Sequence, residues 1–193
     1  MSQLTPEDLY SLEQYAKMRS EFRASVMAHE KNRKVHVGPN ATLYFEDRLT
    51  MQYQVQEMLR IERIFEQDAI AEELAAYNPL IPDGSNWKAT FMVEYPDVEE
   101  RRAALSRLIG VEDKVWVQVE GYNRVFAIAD EDLEREDETK TSSVHFLRFE
   151  LTPEMAAAVK GGAGLSMGID HPNYQHAVGV GEPTRGCLVQ DLA

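Results

Sequence analysis

The spacing of the hydrophobic residues changes once along the chain, and this change constrains the fold more than any other feature. From Leu9 to Val26, and again over residues 46–67, apolar side chains recur every three or four positions, as on the buried side of a helix. Beyond about residue 87 the apolar segments are short and rich in β-branched and aromatic residues, as in strands. Because the helices come first and βαβ alternation is absent, we predict an α+β fold. Two long N-terminal helices would pack on a mostly antiparallel sheet of about five strands.

The length of 193 residues suits a single domain with a real core. We expect a helical part over about residues 5–77, a sheet-rich part over about 87–180 and a tail over 181–193. Residues 115–119 and 124–128 are strand-like and flank a short turn sequence, which predicts a β-hairpin.

Composition and charge exclude several classes of function. The net charge of −13 disfavours general binding to nucleic acid. No apolar run approaches the roughly 20 residues of a membrane helix, and the N-terminus lacks the pattern of a secretory signal, so we expect a cytoplasmic protein. Cys187 is the only cysteine, which excludes an intramolecular disulfide and a cysteine-held zinc or iron–sulfur site. Phosphate-binding glycine motifs of nucleotide-binding proteins are also missing.

The charges are unevenly distributed. A basic segment contains Lys31, Arg33, Lys34 and His36, whereas Asp130–Glu138 is almost entirely acidic. Either segment could be a solvated helix end or loop, and either could be a docking site for a partner protein.

The predicted second helix, residues 46–67, carries apolar residues on more than one face, which is typical of a helix buried on more than one side. Helical geometry places Glu62 inside one apolar stripe and Glu57 between apolar residues of another face. A carboxylate in such surroundings needs an arginine or other donors beside it. The candidates are Arg48, Arg60 and Arg63 on the same helix and, from elements expected to pack nearby, Arg19, Arg23 and Arg148. The pattern fits a buried ion-pair network, or a polar pocket whose carboxylate has a shifted pKa.

Histidines provide the candidates for a metal site. His171 and His176 lie close together in a predicted turn that begins with an aspartate. Imidazole and carboxylate are common ligands of transition metals, so these residues, joined by His145 or a helix glutamate, could hold an ion. The sharper signatures of zinc and di-iron proteins are absent, and turn-forming or core histidines explain the pattern as well.

The segment Asn78–Asn86 is dense in turn formers and is stiffened by two prolines. Stiff loops often carry functional residues on a scaffold, so the candidates for the rim of a pocket are Asp83, Ser85, Asn86 and Lys88. A turn that simply connects the helical part to the first long strand is the alternative.

Several segments together resemble an uncharacterised bacterial family, the domain-of-unknown-function family numbered 3501. The segments are residues 38–39, 43–49, 53–66, 77–86, 140–141, 144–150 and 170–174. The resemblance implies no catalytic residue, because the family has no established activity. It does imply a redox or oxidative-stress setting, since such proteins are often encoded beside rubrerythrin-like and iron–sulfur oxidoreductase proteins.

Two functions therefore stay open. The first is an accessory protein that binds a rubrerythrin-like or iron–sulfur redox partner. The second is a small-molecule or metal-dependent enzyme with a polar pocket between the second helix and the sheet. Whether the protein is an enzyme, and which cofactor it would use, cannot be read from these residues.

Overall fold

Nine strands form two antiparallel sheets in residues 2–193, the part of the chain that the computed structural model describes. Sheet A has the order β1-β2-β3-β7-β6, and sheet B has the order β5-β4-β8-β9. The strands are β1 Lys34–His36, β2 Ala41–Phe45, β3 Asn86–Val93, β4 Val115–Val119, β5 Val125–Phe126, β6 Ile128–Ala129, β7 Val144–Glu150, β8 Leu165–His171 and β9 Tyr174–Gly179. The α+β class and the antiparallel pairing are confirmed, whereas the expectation of about five strands is wrong.

Helices flank these sheets at several places in the described chain. They are α1 Leu12–Glu30, α2 Arg48–Glu62, α3 Gln67–Tyr77, α4 Val98–Arg107, α5 Pro153–Lys160 and α6 Thr184–Val189. The first predicted helix is interrupted, because Pro6–Asp8 forms a separate 3-10 turn and α1 begins only at Leu12, after the cap residue Ser11. None of the helices in residues 2–193 is long and apolar enough to cross a membrane.

The main core lies between the two sheets. Along β3 the side chains alternate, so that Trp87 and Phe91 point into this core while Lys88 and Thr90 point to the opposite face of sheet A. We call that opposite face the outer face of sheet A. The C-terminal residues join the core as well, because Leu188 is fully buried and its carbonyl accepts a hydrogen bond from the indole of Trp87 at 2.8 Å.

A second, smaller core holds α2 and α3 together with the N-terminal segment. Helix α2 begins where the side chain of Asp47 accepts hydrogen bonds from the backbone N–H groups of Leu49 and Thr50, each at 2.9 Å. It ends at Glu62, followed by Arg63 in the left-handed region with φ 56°. This early end leaves Phe65 70% exposed, so the predicted helix over residues 46–67 is too long.

Two hairpins join strands of sheet B. The predicted hairpin is confirmed, since β4 pairs with β5 in antiparallel register. Strands β8 and β9 are joined by a tight turn at Pro172 and Asn173, which agrees with the turn predicted there. The hydroxyl of Tyr174, at the start of β9, donates to the carbonyl of Val37 at 2.7 Å and thereby ties sheet B to the β1–β2 turn of sheet A.

Candidate functional site

Glu57 lies in a saturated ion-pair network between α1 and α2. The guanidinium of Arg19 donates to its two carboxylate oxygens at 2.7 and 2.9 Å, the hydroxyl of Tyr15 donates at 2.7 Å, and Arg60 donates at 3.2 Å. The hydrogen bonds from Arg19 are the main reason why the pKa of Glu57 falls to about 2. The carboxylate of Glu57 is therefore ionised, and both of its oxygens accept hydrogen bonds from neighbouring side chains. This arrangement is the predicted buried ion-pair network, and not the predicted polar pocket.

Glu62 does not join this network. It lies in the last turn of α2 and is exposed, as are Arg60 and the neighbouring Ile61, which is 62% exposed. The expectation that Glu62 faces an apolar interior is wrong, because the helix ends at Glu62 and its last turn is exposed. An apolar residue in a helical pattern shows which face it occupies, but not whether another element packs there.

A small cavity of about 190 Å³ does lie between α2 and the outer face of sheet A. Glu46, half-buried at the end of β2, lines it. One of its carboxylate oxygens accepts from the hydroxyl of Thr50 and the other from the hydroxyl of Thr90, each at 2.6 Å. Burial raises the pKa of Glu46, and burial also raises the pKa of Glu30, which lines the same cavity. The cavity between α2 and the sheet is therefore lined by Glu46 and Glu30, and not by the predicted carboxylates Glu57 and Glu62.

A larger cavity of about 470 Å³ lies beside it, between α3 and the same face of sheet A. Lys88 and Arg148 reach it from β3 and β7, and Tyr77, Leu80 and Phe146 provide much of its apolar lining. The ammonium of Lys88 donates to the carbonyl of Pro79 at 2.5 Å, and burial lowers the pKa of this lysine.

Arg148 is bound by two carboxylates at the edge of this larger cavity. Its guanidinium donates to both oxygens of Glu131, at 2.9 and 2.8 Å, and to Glu150 at 2.6 Å. The strand register explains this position, since Arg148 lies opposite Lys88 on the neighbouring strand.

Asp83 and Asn86 stabilise the turn before β3 rather than line either cavity. The side-chain oxygen of Asn86 accepts from the backbone N–H of Asp83 at 3.2 Å, and its amide donates to Glu150 at 3.1 Å. Asn86 is buried, whereas Asp83 is exposed and bonds to Ser85. These contacts correspond to the alternative in which the loop only connects the helical part to the sheet.

The three candidate histidines are separated in the fold. His171 is buried in β8, where its Nε2 donates to the carbonyl of Ile109 at 3.1 Å and its Nδ1 accepts from the backbone of Asn173 at 3.1 Å. His176 is exposed and its ring lies against Tyr174. His145 is fully buried in β7 of the other sheet. A metal site built from these histidines is therefore not formed.

His145 instead forms a cluster with Asp130, the first residue of the acidic segment, and with Glu112, which the sequence analysis did not single out. Its Nδ1 lies 2.6 Å from a carboxylate oxygen of Asp130, and its Nε2 lies 3.7 Å from a carboxylate oxygen of Glu112. Glu112 is buried, and this burial raises its pKa. Within residues 2–193, one group of three possible ligand side chains has its ligand atoms within 4.8 Å of one another, and it is this group.

The basic segment is divided between surface and interior. Lys31, Lys34 and His36 are exposed and stay available to a partner. Arg33 is only 3% exposed, and its guanidinium donates to Asp191 at 2.5 Å and to the carbonyl of Phe45 at 3.0 Å. The expectation that Arg33 belongs to a partner-binding surface is therefore wrong, because its charge is neutralised inside the protein.

Comparisons with known proteins extend over nearly the whole chain. A family model described as "Protein of unknown function (DUF3501)" matches residues 3–192. A crystal structure described as a novel protein of unknown function from Burkholderia pseudomallei K96243 has 51% sequence identity and a TM-score of 0.94. The likeness covers 100% of this chain and 100% of that chain. No curated protein matches the sequence.

Proposed function

Since the chain belongs to the family of proteins of unknown function DUF3501, whose description assigns no activity, we propose a function from the geometry of its cavities. The protein is an enzyme that acts on a small molecule with an anionic group and an apolar body, bound between the helical part and the outer face of sheet A. The observation that carries this proposal is the ammonium of Lys88 in a cavity of about 470 Å³ with a largely apolar lining.

Lys88 supplies the binding group for the anion. An ammonium has three N–H donors, and the carbonyl of Pro79 accepts one of them. The lowered pKa of Lys88 follows from burial, which costs a cation its hydration unless an opposite charge comes close. The carboxylates of Asp83, Glu131 and Glu150 offset part of this cost, and a carboxylate on the ligand would offset more of it. Arg148 is a weaker candidate because Glu131 and Glu150 already bind its guanidinium.

The apolar side chains that line the cavity determine which non-ionic part of a ligand fits there. Tyr77 and Phe146 present aromatic rings, and Leu80 adds aliphatic surface between them. Ligand sites of this kind are mostly apolar with a few placed polar groups, and their volumes are on the order of 300–1,000 Å³. The cavity at Lys88 has these properties, which favours a compact carboxylate with an aromatic or branched aliphatic body.

Glu46 supplies the acid–base group. Thr90, which donates to Glu46, and Lys88 lie two positions apart on one face of β3, so their backbones are roughly 7 Å from each other. A carboxyl group whose pKa is raised can hold and release a proton nearer to neutral pH, as a general acid or base requires. A ligand held at Lys88 could therefore place a reacting group toward Glu46.

The test is a nuclear magnetic resonance screen of a library of small aromatic and branched aliphatic carboxylates. A binder should shift the amide resonances of Lys88, Thr90 and Phe146, and Lys88→Met should weaken its binding at least tenfold. Lys17→Met, which removes an exposed lysine paired with Glu13, is the matched control and should bind normally.

The screen would contradict the proposal if no carboxylate bound, or if binders affected wild type and Lys88→Met equally. The Glu46→Gln variant distinguishes ligand binding from catalytic turnover. It should keep the affinity for the ligand and lose the turnover of any binder that wild type converts.

An accessory role with a rubrerythrin-like or iron–sulfur partner is the second candidate, and its support is the family resemblance together with the exposed basic residues. Lys31 and Lys34 are exposed, and the exposed apolar side chains of Ile61 and Phe65 could extend a protein interface. Co-expression of the tagged protein with a rubrerythrin-like protein, followed by affinity purification, tests this role. A complex lost in a Lys31→Glu, Lys34→Glu variant but kept in Lys17→Glu would support it; recovery of the tagged protein alone would contradict it.

A further inference from the structure

Strand β9 is the longest edge strand in the described part of the chain. Its six residues form one edge of sheet B, whereas the edge strand β1 has three residues and the edge strands β5 and β6 have two each. Proteins usually protect a sheet edge with a lysine, a proline or a bulge, because an unpaired strand pairs readily with another chain. Strand β1 carries Lys34, but β9 contains neither lysine nor proline, and its pairing with β8 runs without a bulge.

The pairing with β8 determines which backbone groups of β9 point outward. Just beyond the strand, the backbone N–H of Val180 donates to the carbonyl of Leu165 at 2.8 Å. Inward and outward positions alternate along an antiparallel pair, so the N–H and C=O groups of Gln175, Ala177 and Gly179 point away from β8. Within residues 2–193, β8 is the one strand beside β9, and no loop donates to or accepts from these outward groups.

The side chains of β9 leave this edge open to a second backbone. Gln175, Ala177 and Gly179 are exposed, and a Cβ added to Gly179 would meet nothing within 4 Å. The two rings of the strand lie on the other face of sheet B, where Tyr174 is buried and His176 lies against it. None of the acidic residues of the protein belongs to the strand. Neither bulk nor negative charge therefore keeps another strand away.

A second copy of β9 matches this edge. When two copies pair antiparallel about a two-fold axis at Ala177, this alanine lies opposite its own copy, and each Gln175 lies opposite a Gly179. Each such pair exchanges two N–H···O bonds, so every outward group of the three residues gains a partner. On the other face, each His176 lies opposite a Val178, so no like charges face each other. Any other register leaves at least one of the three residues of each copy without its counterpart.

We propose that two copies of this chain associate through β9, so that their two B sheets become one continuous sheet. The strand supplies six residues per copy, fewer than the roughly 20–30 of a standard interface, so the dissociation constant should be on the order of 10 µM. Each copy has a net charge of −13, and salt screens the repulsion between them. The dimer should therefore tighten severalfold between about 50 and about 500 mM NaCl. This association is independent of the anion-binding role of Lys88, which lies on sheet A.

Analytical ultracentrifugation of the full chain over about 1–200 µM tests the association. Ala177→Lys places two ammonium groups beside each other at the two-fold axis and should weaken the dimer at least tenfold. Ala71→Lys is the matched control, because it makes the same change of charge at an exposed alanine of α3. It should associate like wild type. Circular dichroism would check that each variant is folded.

Cross-linking gives a second measurement that does not depend on weakening the dimer. The Cα atoms of a hydrogen-bonded pair are about 5.5 Å apart, so Ala177→Cys in a Cys187→Ser background should form dimers with a short bismaleimide. Ala71→Cys in the same background should stay monomeric. A monomeric wild type at about 200 µM in high salt, equal association of the two lysine variants, or no more cross-linking of Ala177→Cys than of Ala71→Cys would overturn the proposal.

Discussion

Replacing Glu57 by glutamine should remove one of the strongest electrostatic contributions to the stability of this protein. Arg19, Tyr15 and Arg60 all donate to this carboxylate, and its side chain is 14% exposed. The pKa of Glu57 falls from an ordinary 4.5 to about 2, which corresponds to about 3 kcal/mol in favour of the ionised folded state. Solvent around the partly exposed arginines screens part of this, so we expect Glu57→Gln to lower the free energy of unfolding by about 2 kcal/mol at pH 7.

The pH dependence of this effect has a definite sign. The folded pKa of Glu57 lies below its unfolded value, so its stabilisation is complete above pH 4.5 and is lost as the pH falls toward 2. The difference between wild type and Glu57→Gln should therefore shrink by about 1 kcal/mol between pH 7 and pH 3.5. Urea denaturation followed by circular dichroism at both pH values measures it.

Glu62→Gln is the control for the same helix. Glu62 is exposed, so its replacement should change the free energy of unfolding by less than about 0.5 kcal/mol. A loss below that size for Glu57→Gln at pH 7, or a loss that stays the same at pH 3.5, would refute the assignment of Glu57 to a saturated ion-pair network.

Three further predictions concern other parts of the fold and can be checked by urea denaturation. Gly38→Ala should destabilise by about 2 kcal/mol or more, because φ is +75° and the added Cβ would lie 2.7 Å from the hydroxyl of Tyr174. Tyr174→Phe should cost about 1–3 kcal/mol, since the carbonyl of Val37 loses its donor. The stability of Glu46→Gln relative to wild type should increase as the pH rises from 4.5 to 8, because burial raises the folded pKa of Glu46 and the stability of wild type that is present at low pH is lost as the pH rises.

Local patterns were sufficient where neighbouring residues determine the structure. The helix Pro153–Lys160 has such a local signal, because a threonine cap precedes a proline in its first turn. The hairpin predicted from residues 115–119 and 124–128 followed from a turn sequence between two apolar runs. In each case the signal lies within a few residues of the element itself.

Contacts between distant residues could not be predicted in this way. Arg33 was assigned to the surface because its neighbours are basic, yet its partner Asp191 is 158 residues away. Glu112 and His145 come together only because two sheets close over one core. The register of β7 against β3 cannot be predicted from the sequence of either strand alone. The exposure of the last turn of α2 could not be predicted either, because the apolar pattern of the sequence continues to Phe65.

The alternation of a single strand separates the cluster around His145 from the cavity at Lys88. In β7, His145 points into the interior toward Glu112, and the next residue, Phe146, points outward into the cavity of Lys88. Asp130 lies at the boundary of both, because its carboxylate contacts the imidazole of one residue and the backbone N–H of the other. A one-residue slip of β7 would exchange the two faces, placing an aromatic ring among the acids and an imidazole in the apolar cavity. The register of β7 against β3, through seven pairs of residues, therefore determines which side chains line the cavity of Lys88 and which lie in the interior.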